Sequence, residues 1–230
     1  MNEAIADNLA AVRNRIDKAA RRFDRDGRSV TLIAVTKAFG ADAIAPALEA
    51  GHRDFGENRV QEATAKWPPL KARYKDVRLH LIGLLQSNKV REAVRLFDVI
   101  HTVDREKIAA ALATEMALQG KRQPVFVQVN IGSEAQKAGV TLGEAATFIR
   151  HCRDDIGLQV EGLMCIPPAD EAPGPYFARL AMLAREAGVA GLSMGMSGDF
   201  ETAIWMGATH VRVGSAIFGE RAAAALDEAR

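Results

Sequence analysis

Apolar residues in the first two dozen positions recur at alternating spacings of four and three: Ile5, Leu9, Val12, Ile16, Ala19 and Phe23. That spacing forms one stripe on an amphipathic helix over 3–24, and the Asp-Arg-Asp-Gly cluster at 24–27 predicts its end. The stripe also resembles a coiled-coil seam, but six positions are too few to argue for one, so a helix packed on its own domain is expected. From residue 30 the period changes. Short strand-like runs at 30–37, 53–57, 77–82, 99–103, 125–130, 158–166, 191–194 and 210–213 read as strands. Stretches with helical spacing lie between them, at 42–50, 60–71, 88–97, 104–120, 142–153, 176–187 and 200–206. Gly51 closes the first of these, Pro68-Pro69 is expected to end the second, and Asp104 stands where it would cap the fourth.

Strand–helix alternation implies parallel pairing through right-handed crossovers. Eight such units in this length fit an α/β fold of the closed (β/α)8 TIM-barrel type with an additional N-terminal helix. An open, doubly wound sheet is the alternative, but no Gly-x-Gly-x-x-Gly follows the first strand, where a dinucleotide-binding sheet would carry it. Closure would make the first and eighth strands neighbours and bring the C-terminal ends of the first, second, seventh and eighth strands to one mouth.

The chain has 230 residues, 48% of them hydrophobic and 26% charged, enough for one sizeable core. We expect a single domain over 1–230, with a helix over 1–24 packed on the barrel. A net charge of +1 without a basic tract argues against nucleic acid or an acidic membrane as partner. No leader pattern opens the chain, and no apolar run approaches the roughly 18 residues of a membrane span, so a cytoplasmic protein is expected. Cys152 and Cys165 stand neither in a CxxC nor beside histidines at metal spacing; they are expected reduced and buried, with no metal site.

The chemistry starts at Lys37, which ends the apolar run VTLIAVTK (30–37). With a period of two it shares a face with Ile33 and Val35, so an ammonium there would be partly desolvated. Desolvation disfavours the charged form and makes a lysine a candidate nucleophile for Schiff-base chemistry; the alternative is a side chain that snorkels into water. In the eighth strand Val211 and Val213 should face the helices, leaving Arg212 toward the barrel interior, with Gly214 and Ser215 at the mouth. Ser197, in the loop after the seventh strand, stands beside them, and phosphate sites in barrels recur in these two loops. Together they suggest a phosphorylated aldehyde bound covalently by Lys37. Asn58 either reaches this site or caps the helix from residue 60. His80, Gln128 and Asn130 could line the barrel but are more simply satisfied core groups, and the Pro-rich loop 167–175 reads as a solvated connector.

Six blocks in order, LIAVTK (32–37), FGENRVQE (55–62), HLIGLLQSNK (80–89), GLMCI (162–166), LSMGMSGD (192–199) and VRVGSAIFG (211–219), make the chain similar to the pyridoxal phosphate homeostasis proteins, relatives of the N-terminal barrel of alanine racemase. The resemblance implies a barrel of the alanine racemase type without its C-terminal β domain, binding pyridoxal 5′-phosphate (PLP) as an aldimine on Lys37. It places Ser197, Gly214 and Ser215 around the phosphate and Arg212 near the pyridine nitrogen; Asn58, by its place at a strand end, is the further candidate to reach the ring unless it caps the helix from residue 60. It further implies a cytoplasmic protein, a monomer or weak dimer, that holds, buffers or delivers PLP, with apo-PLP enzymes as acceptors and no catalytic residue. One departure is visible: Ala38-Phe39-Gly40 stands where the family continues with Thr, often a second Lys, and Pro, and Phe39 could stack or pack instead. A PLP-dependent amino-acid racemase and a cofactor-free Schiff-base aldolase are the alternatives. Against racemisation, the chain ends eleven residues past Gly219, and neither Tyr74 nor Tyr176 falls at a strand end.

Overall fold

Eight short strands pair in chain order and close on themselves as β1-β2-β3-β4-β5-β6-β7-β8, every pair parallel. The computed structural model describes residues 2–219. Helix α1 (Asn2–Arg21) precedes the first four units: β1 (Thr31–Val35), α2 (Ala41–Glu49), β2 (Asp54–Glu57), α3 (Val60–Arg73), β3 (Arg78–Leu81), α4 (Val90–Leu96), β4 (Val99–Val103) and α5 (Glu106–Leu118). The second half follows as β5 (Val125–Gln128), α6 (Leu142–Arg150), β6 (Val160–Met164), α7 (Gly174–Glu186), β7 (Gly191–Ser193), α8 (Phe200–Trp205), β8 (His210–Val213) and α9 (Ser215–Phe218). The expected barrel is therefore the observed one.

Side chains alternate along each strand between two apolar regions. Leu32, Ala34, Leu79, Leu81, Val211 and Val213 pack outward under the helices, whereas Val99, Phe126 and Met164 form a separate cluster within the barrel. Each large aliphatic side chain removed from water in these layers stabilises the fold by about 1.5–3 kcal/mol. Interior space is tight: a Cβ at Gly191 would come within 2.7 Å of the Phe126 ring, so only glycine lets that ring fill the barrel.

Leu9, Val12, Ile16 and Ala19 of the predicted stripe are buried, and α1 lies against α2, α8 and α9 of its own barrel. Phe23 departs from the stripe because α1 ends at Arg21; it is exposed, with its ring 6.2 Å from that of Trp205. Arg25 anchors the end of this segment by donating to the Ile204 and Ala208 carbonyls.

Three local expectations are corrected. Helix α3 runs through Pro68-Pro69 to Arg73. The prolines remove two amide donors, but fully buried Trp67 on one side and Lys71, which donates to Asp98 at 2.6 Å, on the other hold the helix in place. Asp104 does not cap α5: Arg105 takes the N-cap position, and Asp104 pairs with its guanidinium at 2.5 Å. The sixth helix is α-helical only to Arg150 and widens to a π turn over His151–Asp155.

Candidate functional site at the barrel mouth

Register between β1 and β8 places Ile33 opposite Arg212 and Ala34 opposite Val213, so the residues that follow both strands emerge together. The approach is close: a Cβ on Gly214 would stand 3.4 Å from the Val35 carbonyl oxygen. Here a cavity of 480 Å³ opens, large enough for a small cofactor, and Lys37, Asn58, Ser197, Arg212, Gly214 and Ser215 all line it. The strand-end periodicity thus brings every candidate residue to one place. Val35, Ile82, Ile166 and Met196 give the cavity apolar walls that the sequence reading did not single out.

Lys37 differs from expectation in one respect. Strand β1 stops at Val35, Thr36 donates its amide to the Gly56 carbonyl, and Ala38 takes a left-handed φ of 65°, so the chain turns and the Lys37 side chain is exposed at the rim. The partial desolvation expected of it is not found. What holds its turn is a second lysine: Lys66 Nζ on α3 donates to the Thr36 and Phe39 carbonyls at 2.8 and 2.9 Å and pairs with Glu57 at 2.7 Å. Glu57 is fully buried and accepts from Thr36 Oγ1 at 2.5 Å and Trp67 Nε1 at 2.9 Å. The sequence reading missed this bracket. Its trace is faint: Glu57 ends the short second strand, and Lys66 stands next to a tryptophan on the following helix. Phe39, one of the departures from the family pattern, packs its ring 5.2 Å from that of Phe218 and lines the cavity.

Arg212 is buried and points inward, as its alternation with Val211 and Val213 predicts; it donates to Ser193 Oγ and to the Cys165 carbonyl, both at 2.9 Å. The Gly214 and Ala216 amides converge on Ser197 Oγ at 3.3 and 3.5 Å, so the loops after β7 and β8 meet through amide donors aimed at one oxygen. A phosphate oxygen is what such a donor pair suits. Asn58 does not cap α3, where Arg59 is the N-cap residue; it lines the cavity. His80, Gln128 and Asn130 are all satisfied within the protein, by His101 and Asp54, by the Ala138 carbonyl, and by the Glu134 and Lys137 carbonyls. Both cysteines are free and buried, and burial pushes their thiols up to about 12. Among the described residues no three His, Cys, Asp or Glu side chains converge as a metal site, and no helix is long and apolar enough to cross a membrane.

The chain matches the family model "Alanine racemase, N-terminal domain" over residues 8–222. It is 40% identical to the pyridoxal phosphate homeostasis protein of Escherichia coli over 96% of this chain and 98% of that one. It is 42% identical to that of Pseudomonas aeruginosa, over 94% and 96% respectively. The structure of PipY from Synechococcus elongatus with PLP bound superposes with a TM-score of 0.79 at 36% identity, covering 94% of this chain and all of PipY. With a closed eight-stranded barrel that superposes on PipY and family sequence along nearly its whole length, the chain belongs to the pyridoxal phosphate homeostasis protein family, within the alanine racemase N-terminal domain class.

Proposed function

We propose that this protein binds PLP covalently through Lys37 and holds, buffers or delivers it, as a cytoplasmic monomer or weak dimer built from one domain, with apo-PLP enzymes as acceptors. The observation that carries this reading is the composition of the cavity: Lys37 is the one primary amine among its described lining residues, and it shares the cavity with the segment after β8 that carries the amide donors. PLP supplies an aldehyde that condenses reversibly with an amine, a phosphate dianion and an aromatic ring. The residues present suit all three. Lys37 offers the amine, the Gly214–Ala216 segment with Ser197 and Ser215 offers donors to an anion, and Ile82, Ile166 and Met196 offer apolar contact to a ring.

Low turnover follows from the same composition. A fixed guanidinium beside a pyridine nitrogen favours its unprotonated form, so Arg212 would keep the ring a weak electron sink. Racemisation also needs an acid/base opposite the lysine. No His, Tyr, Asp, Glu or Cys is among the described lining residues: Tyr74 packs against the main core, and Tyr176 pairs with Glu171.

The grip on the phosphate is tested by Ser215→Asp. Ser215 is solvent-exposed at the head of α9, so the added repulsion is partly screened, and about 2 kcal/mol, roughly thirtyfold in Kd for PLP, is expected. Absorbance titration checks this. Unphosphorylated pyridoxal should bind the unmodified protein weakly and be indifferent to the substitution. Equal affinity for pyridoxal and PLP would exclude the proposed grip.

A further inference from the structure

Beneath the cavity a continuous hydrogen-bonded chain crosses the barrel interior through five strands. Asp54 Oδ1 on β2 lies 3.1 Å from His80 Nε2 on β3; His80 Nδ1 lies 3.0 Å from His101 Nε2 on β4; His101 Nδ1 lies 2.9 Å from Ser193 Oγ on β7; and Ser193 Oγ accepts from Arg212 Nη1 on β8 at 2.9 Å. His80, His101 and Ser193 are fully buried, and Arg212 is the one member that lines the cavity.

The ends of this chain settle where every proton sits. A guanidinium only donates, so Ser193 Oγ accepts from Arg212; its own proton goes to His101 Nδ1 because an anionic Asp54 at the other end places the proton of each neutral imidazole on Nε2. His101 then carries its own proton on Nε2 and donates it to His80 Nδ1, and His80 donates from Nε2 to Asp54. Asp54 can receive it as an anion: burial raises its carboxyl, but the His80 hydrogen bond and nearby Arg78 outweigh that and hold it below the ordinary value. The opposite polarity would need an imidazolium or a neutral aspartic acid. An imidazolium would stand in the barrel core close to other histidines and Arg212, and burial first, then His80, Arg212 and Arg78, hold His101 and His210 neutral at physiological pH. Burial likewise lowers His80 despite its Asp54 partner. His210 stays outside the chain: its Nδ1 pairs with Thr209 Oγ1, and its ring centroid is 5.7 Å from that of His101.

Resting on the PLP reading above, we infer that Ser193, His101, His80 and Asp54 form a positioning relay that fixes the Arg212 guanidinium toward the cofactor ring. Among the described residues Arg212 has no carboxylate partner within ion-pair distance. Asp199 is the carboxylate whose charge acts on it, from beyond ion-pair distance, while hydrogen bonds tie its guanidinium through three neutral groups to Asp54 at the far end of the barrel. Because the Ser193 proton is committed to His101, the serine oxygen offers Arg212 lone pairs alone. With the Cys165 carbonyl as second acceptor, two of the guanidinium nitrogens are fixed and its plane is set. The stack of His101 on Phe126, 4.4 Å between centroids and 3° between planes, holds the middle of the relay rigid.

Two measurements decide it. Long-range 1H–15N imidazole spectra of the ligand-free protein at pH 7.5 should show His80 and His101 both neutral and both protonated at Nε2. A proton on Nδ1 of either ring, or an imidazolium, overturns the relay. Ser193→Ala should weaken PLP binding about tenfold and shift the visible band of the bound cofactor, while borohydride still fixes the cofactor at Lys37. Ser193→Thr, which keeps the hydroxyl, should restore both. An unchanged affinity and band in a folded Ser193→Ala protein also overturns the relay. If the unmodified protein takes up no PLP, the functional reading fails, and the imidazole spectra still decide the relay. They do so equally if Ser193→Ala does not fold.

Discussion

Acidification from pH 7.5 to 5 is expected to remove several kcal/mol of folding stability, more than carboxylates alone would explain. Burial, with Arg13 and Arg53 nearby, lowers His52 to about 4, and burial with His80, Arg78 and Arg212 lowers His210 to about 3. His80 and His101 shift the same way. In the unfolded chain each imidazole takes up a proton near its ordinary value of about 6.5, whereas in the fold His52 and His210 stay neutral and His80 and His101 take up a proton less readily than in the unfolded chain. The unfolded state therefore binds more protons, and stability is full above about pH 7 and declines as pH falls through 6.5. His52 and His210 alone account for about 3 kcal/mol between pH 6.5 and 5. Guanidinium midpoints at pH 7.5, 6 and 5 check the effect, and a flat profile over that range would contradict it.

Lys66→Met is expected to cost about 3–5 kcal/mol, because it leaves the fully buried Glu57 carboxylate without its cationic partner. Glu57 Oε2 already has no hydrogen-bond partner, and only the Thr36 hydroxyl and the Trp67 indole would remain at Oε1. The loss should extend to the site, since Lys66 also holds the carbonyls on either side of Lys37 and Ala38. Converting Glu57 to Gln in the same chain should recover part of the stability by removing the unpaired charge, but not the lost grip on the turn. Equilibrium unfolding of the single and double variants checks this, and a single variant as stable as the unmodified protein would show that the pair is not what stabilises the turn.

Much of this architecture is legible in the sequence because a buried strand declares itself by a period of two. The bounds of β4 and β8 coincide with their apolar runs, since every residue in each is buried. The alternation of Arg212 with two valines is enough to turn it inward, and barrel closure then brings Lys37 to Gly214. Helix ends were less legible: Pro68-Pro69 is a local stop signal overridden by Trp67 and Lys71, whose partners lie on β2 and just before β4. The exposure of Lys37 depends on the left-handed Ala38, which no spacing announces. The relay was beyond reach for a related reason. Periodicity turns His80 and His101 inward, but only the closed barrel brings the His101 ring to Ser193, 92 positions away.

Borohydride reduction of the PLP-loaded protein followed by peptide mass mapping is the most direct measurement of the proposed function. Reduction converts a reversible carbon–nitrogen link to a lysine into a stable amine. The expected result is a single cofactor adduct on the peptide containing Lys37. Neither the adduct nor the visible absorbance should form in Lys37→Ala, whose barrel should fold normally because the side chain lies beyond β1 and is exposed. An adduct confined to another lysine, or covalent uptake that persists in Lys37→Ala, would contradict the assignment of Lys37 as the residue that holds PLP.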